Sequence, residues 1–306
     1  MRIFAECFWT VHGRGMDDGE LFPETAAEPR DAVRERAETV RRSLERAGDA
    51  DATVARRTAA WIWGLDVLPP GADPREPPLE VIGGARAGPP APPWNDPERV
   101  PLPAGHVAER GGVRLTTPAR TALDCARWLP RADAVAALDQ FLRRGATVAG
   151  LRDLARPLDG YRRSDRLRAV LRAGDAGAQS PGESRTRVLL VDAGLPVPAT
   201  QIPVAGPDER YCYVDLGYER FRVGVEYDGE RHHTGARSRA HDERRRRWLR
   251  EEEGWEFITV TREVRYAPAP YVEAVVTALL RRGWNPPAAA LDRVAARLAH
   301  LRRRPR

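Results

Sequence analysis

The chain has 306 residues, enough for two domains of ordinary size that each bury a core. Its formal net charge of +6 favours an anionic partner, while 44 acidic residues interspersed among 50 basic ones exclude a simple polybasic tail. All 50 basic residues are arginine, which alongside so much Ala, Gly and Pro points more to a GC-biased coding sequence than to selection for phosphate binding.

In chain order, Val33, Ala37, Val40 and Leu44 have helical spacing over 31–47, and ATVARRTAAWIWGL over 52–65 reads as a second helix ended by Gly64. Prolines and glycines break 69–103, leaving room only for short strands such as 79–82. After a short apolar run at 113–115, Thr117 and Pro118 supply an N-cap and a first-turn proline for a helix with Ala122, Ala126 and Leu129 on one face. Another helix carries Val135, Leu138 and Leu142 and stops at Gly145, with short helices continuing to Ala173.

Periodicity is lost over 173–179 just before a new helix start at Ser180-Pro181-Gly182-Glu183, which sets a domain boundary between 1–175 and 176–306. The second unit then reads helix 183–192, strands 200–204, 211–216 and 221–227, helix 236–253 and strand 256–261, with two closing helices over 271–282 and 287–301. The fold class is therefore mixed α/β, a mainly helical amino-terminal part followed by an αβββαβ unit. Cys7, Cys125 and Cys212 have no metal-binding spacing and read as buried thiols in a reducing compartment. The amino terminus lacks a basic n-region and a long apolar run, and no stretch approaches about 18 consecutive apolar residues, so a soluble cytoplasmic protein is expected, with no membrane partner.

The chemistry concentrates in 211–263. A period of two puts Val223, Val225 and Tyr227 on one face of their strand and Gly224, Glu226 and Asp228 on the other. On the preceding strand Tyr211, Tyr213 and Asp215 share a face, with Cys212, Val214 and Leu216 opposite, so antiparallel pairing brings Asp215 beside Glu226. Two acids that close repel unless a cation lies between them, and magnesium, or manganese in its place, suits oxygen ligands and a substrate phosphate. Other readings exist for each residue. Asp215 and Glu226 are also placed to be solvent-facing acids, Asp228-Gly229 is a common hairpin pair, and Glu183 is the N3 residue of a capping box begun by Ser180. The helix beginning at Ala236 is basic on nearly every face; beside an acidic site its Arg237, Arg239, Arg244 and Arg245 are candidates for DNA phosphate contact.

This element order, together with Asp215, the EYDGERHH run, the basic helix and GWEFITVT, resembles the PD-(D/E)XK nuclease superfamily, and more narrowly the very short patch repair endonuclease and DUF559-type proteins. The resemblance covers about the last 125 residues and implies a restriction-endonuclease-like domain, with Glu183, Asp215 and Glu226 as metal-site acids and His232 or His233 near the scissile phosphate. The superfamily's usual lysine position is Asp228 here, and no lysine exists elsewhere in the chain.

Upstream, ARRTAAWIWGL and GGVRLTTPARTALDCARWL resemble the core of AbiEi-type abortive-infection antitoxins, whose usual preceding winged helix is not evident in residues 1–30. Trp61, Trp63 and Trp128 read as core residues before base-stacking platforms, and this half is assigned a scaffold or specificity role. The expected function is metal-dependent DNA hydrolysis in repair or phage defence, with RNA open to the same chemistry and no protein partner indicated. The alternative is a non-catalytic, antitoxin-like DNA-binding regulator with a decayed nuclease fold.

Overall fold

The computed structural model describes residues 30–49, 52–69, 71–82, 102–158, 164–206, 211–228 and 236–303, with side chains from residue 243 onward in the last stretch. The amino-terminal part opens with α1 (Arg30–Ala47), followed by β1 (Thr53–Val54), α2 (Arg56–Ile62) and β2 (Val81–Ile82). The helix expected from residue 52 thus begins four residues later. Thr53 and Val54 are β-branched and pair with Ile82 and Val81, so cross-strand burial overrides the alanine-rich context.

β3 (Val107–Arg110) and β4 (Val113–Thr116) form a hairpin through Gly111 and Gly112, both at positive φ as a tight primed turn requires. The four strands make a mixed sheet in the order β2-β1-β4-β3. Four helices complete this part: α3 (Pro118–Trp128), α4 (Arg131–Arg143), α5 (Val148–Ala155) and α6 (Asp165–Ala173). Thr117 caps α3 as expected, accepting from the backbone N–H of Arg120.

The carboxy-terminal part is α7 (Pro181–Asp192), β5 (Ala199–Ala205), β6 (Tyr211–Tyr218), β7 (Val223–Asp228), α8 (Ala236–Glu251), β8 (Glu256–Thr261), α9 (Pro268–Arg281) and α10 (Ala288–Arg302), the expected αβββαβ order with two closing helices. Its sheet runs β5-β6-β7-β8, antiparallel through β7 and parallel between β7 and β8. One face packs Val223, Val225 and Val260 against Leu190 of α7, Val272 and Val275 of α9 and Val294 of α10. The other buries Ile202, Val214, Leu249 of α8 and Trp255.

α7 joins the two parts. Val188 belongs to the amino-terminal core and Leu190 to the carboxy-terminal one. Arg187 donates to Asp139 of α4 at 2.8 Å with both side chains at most 5% exposed, and the backbone N–H of Asp175 donates to the same carboxylate at 2.7 Å. No described helix is long and apolar enough to cross a membrane.

Candidate functional site

The alternation of β7 is as expected: Tyr227 packs toward α7, where a Cβ added to Gly182 would lie 2.1 Å from its ring, while Gly224 abuts Phe257 on the α8 side. Glu226 shares Gly224's parity and therefore sits beneath α8, buried to 3% exposure. β6 departs from expectation. Val214 packs on the α8 side but Leu216 on the α7 side, although two residues apart they should share a face. The reason lies opposite, where Gln201 of β5 takes a left-handed φ of 48° and the pairing skips the Gln201–Asp215 position. Asp215 is therefore half-buried at the point where the strand turns over.

The β6–β7 pairing covers only Gly217–Gly224 and Tyr218–Val223. Extending that register sets Asp215 opposite Glu226, but past Gly217 the ladder opens. Arg245 of α8 spans the opening: it donates to the Tyr213 carbonyl of β6, and its Nη2 lies 3.3 Å from Glu226 Oε1. Arg246 Nε approaches Glu226 Oε2 to 2.9 Å without hydrogen-bond alignment, so both atoms are buried without a hydrogen-bond partner. Two guanidinium groups thus share one buried carboxylate.

Glu183 enters from the other layer. Ser180 caps α7 by accepting the Glu183 N–H at 3.2 Å; its hydroxyl donates to Glu183 Oε1 at 2.8 Å and the Gln179 N–H to Oε2 at 2.8 Å. The capping-box reading of Glu183 is thus realised. Burial pushes its carboxyl above the ordinary carboxylate range against these two hydrogen bonds, and the charge of Asp215 adds to the rise. The charge of Asp215 thus reaches Glu183, whereas Glu226 is held by arginine. Among the described residues no three His, Cys, Asp or Glu side chains form a ready set of metal ligands. Asp228 is the exposed last residue of β7, paired with Thr261.

His232 and His233 lie outside the described residues, as do the side chains of Arg237 and Arg239. Arg244 is exposed on α8, and Arg245 is the clip on Glu226. Arg246 and Gln201 were not singled out by sequence. For Arg246 a signal existed: Leu249 is the buried anchor of α8, and the residues three and four before it share its face. Cys125 is buried as expected and burial raises its thiol well above the usual range, whereas Cys212 is half-buried against the Ile202, Val214, Leu249 and Trp255 cluster.

With this geometry in view, residues 52–173 match the AbiEi antitoxin C-terminal domain family. The chain is also 32% identical over 164 residues to the uncharacterized protein MT2308 of Mycobacterium tuberculosis strain CDC 1551 and, equally, to the uncharacterized protein Rv2248 of strain H37Rv. Each match covers 50% of this chain and 60% of the relative. No solved structure matches.

Proposed function

We propose that the chain is an antitoxin-like regulator acting in the cytoplasm, which binds DNA through a non-catalytic αβββαβ unit of residues 176–306, carried by a scaffold or specificity unit of residues 1–175. The observation that carries this reading is the pair of guanidinium groups from Arg245 and Arg246 directed at the buried Glu226 carboxylate. A carboxylate neutralised in this way keeps α8 close to the sheet and lets its remaining arginines meet a phosphate backbone without an acidic surface beneath them. The antitoxin-family match over 52–173 supports the regulatory role.

Metal-dependent phosphodiester hydrolysis is a second reading, favoured by the orphaned Oε2 of Glu226, the hard oxygen donors of Glu183 and Asp215, and the strand order. These three acids would hold magnesium or manganese, which when bound polarises a phosphoryl oxygen and lowers the pKa of a water. The chain's own contributions would be Glu183, oriented by Ser180 and Gln179, a charge from Arg245 beside the opened strands, and a proton carried by His232 or His233.

The test is to follow binding and cleavage of supercoiled, linear, mismatched and single-stranded DNA, and of RNA, with and without magnesium or manganese. Binding without cleavage of any substrate is expected. Metal-dependent cleavage that Asp215→Asn abolishes would replace the regulator reading with the hydrolase.

A further inference from the structure

A second basic feature lies in the amino-terminal part, away from the carboxylates. A cleft of about 690 Å³ is lined by Arg127, Trp128, Pro130, Arg131, Ser164 and the α6 residues Arg166, Ala169 and Val170. No acid lines it. Each of its three guanidinium groups is oriented by a contact of its own. Arg127 lies 4.5 Å from the Trp128 ring centroid, Arg131 Nε is held by both carboxylate oxygens of Asp192 at 3.0 and 3.2 Å, and Arg166 donates to the Leu129 carbonyl. A guanidinium carries five N–H donors in a rigid fork, so a group fixed through one or two of them still presents an edge to a ligand. Among the described residues the lining offers no side-chain amide or carboxylate to read a base edge or a sugar hydroxyl. Its recognition chemistry is positive charge, one hydroxyl and an aromatic wall.

We infer that this cleft is a phosphate-binding site, taking a ligand with two or more closely spaced phosphates, supplied by a nucleotide or by a nucleic-acid strand. Three guanidinium groups line one concavity, the charge of Arg131 offset by Asp192 and those of Arg127 and Arg166 carrying the positive field, and their N–H forks suit phosphate oxygens. The volume lies within the range of small-molecule sites and accommodates a nucleotide-sized group. The site is independent of Glu183, Asp215 and Glu226, so it stands or falls separately from the function proposed above.

The experiment uses the full chain and three probes: a fluorescein-labelled 12-nucleotide single-stranded DNA followed by anisotropy, and ATP and inorganic pyrophosphate followed by calorimetry. Ala169→Glu places a negative charge in the cleft at a half-exposed helical position, removing no polar contact, and Arg166→Gln removes one charge while keeping a donor. Thermal melts check that both variants fold. At least one probe is expected to bind the wild type and to lose about tenfold in affinity with Ala169→Glu, with Arg166→Gln reducing the salt slope on the single-stranded DNA by about 0.7. Cleft-dependent binding of the DNA alone assigns the phosphates to a strand; cleft-dependent binding of ATP and pyrophosphate assigns them to a free nucleotide. Binding of none of the probes, or binding that folded Ala169→Glu and Arg166→Gln both leave unchanged, overturns the assignment.

Discussion

Glu226→Gln separates the two functional readings most sharply. In the free protein Glu226 engages Arg245 and Arg246, at 3.3 and 2.9 Å, so neither guanidinium is fully available to a phosphate. Glutamine keeps the shape and removes the charge, releasing up to two cations to the DNA interface. Each phosphate neutralised on duplex DNA steepens the dependence of log K on log salt by about 0.9, so the slope should steepen by roughly 0.9 to 1.8. Raising salt from about 50 to 200 mM would then cost the variant an extra factor of roughly 3 to 12 relative to wild type, on top of tighter binding at the lower salt. Anisotropy titrations of one duplex across that range measure this directly. An unchanged slope would refute the idea that Glu226 restrains these arginines, and metal-dependent cleavage present in wild type but lost in the variant would assign the carboxylate to hydrolysis.

Three further outcomes are expected. Arg244→Ala removes an exposed α8 charge and should weaken binding to all sequences alike, reducing the salt slope by about 0.9, while Arg245→Ala should change it less because that cation is already committed to Glu226; equal effects in a salt titration would count against the clip. Asp139→Ala leaves Arg187 buried without its counter-ion and should cost about 3–5 kcal/mol in urea unfolding, a loss under about 1 kcal/mol contradicting the buried pair. Burial raises the Glu80 carboxyl above its ordinary value, so the folded protein holds that proton more tightly than the unfolded chain, and stability should fall as pH rises from about 4.5 through the raised value; Glu80→Gln should flatten this limb in pH-dependent denaturation, and an unaltered profile would remove Glu80 as its source.

The αβββαβ order was legible because β7 alternates cleanly and turn residues separate the elements, and the Ser180 capping box and Thr117–Pro118 start announced two helices by local chemistry alone. Strand parity placed Glu226 opposite Tyr227 correctly. Two things were not readable. The face switch within β6 depends on a left-handed Gln201, a residue whose type gives no warning of positive φ. The β3–β4 hairpin carried a Gly-Gly turn signal, but the polar VAER sequence of β3 has too little apolar alternation to mark a strand. Ranking the arginines of α8 also required the sheet, because their composition is basic on nearly every face and only Leu249 fixes the rotation.

The position of Glu183 is decided by both halves of the chain. α7 has little freedom to slide over the sheet, since Tyr227 occupies the space a side chain at Gly182 would need, and it has little freedom to leave α4, since Arg187 would lose its buried partner Asp139. Glu183 lies one turn before Arg187, where the charge of Asp215 reaches it; the opposite end of the same helix supplies Asp192, which orients Arg131 in the basic cleft. From Glu183 to Asp192 the helix rises about 14 Å. The acidic pair and the phosphate cleft are thus held at a fixed spacing by one helix clamped at both ends.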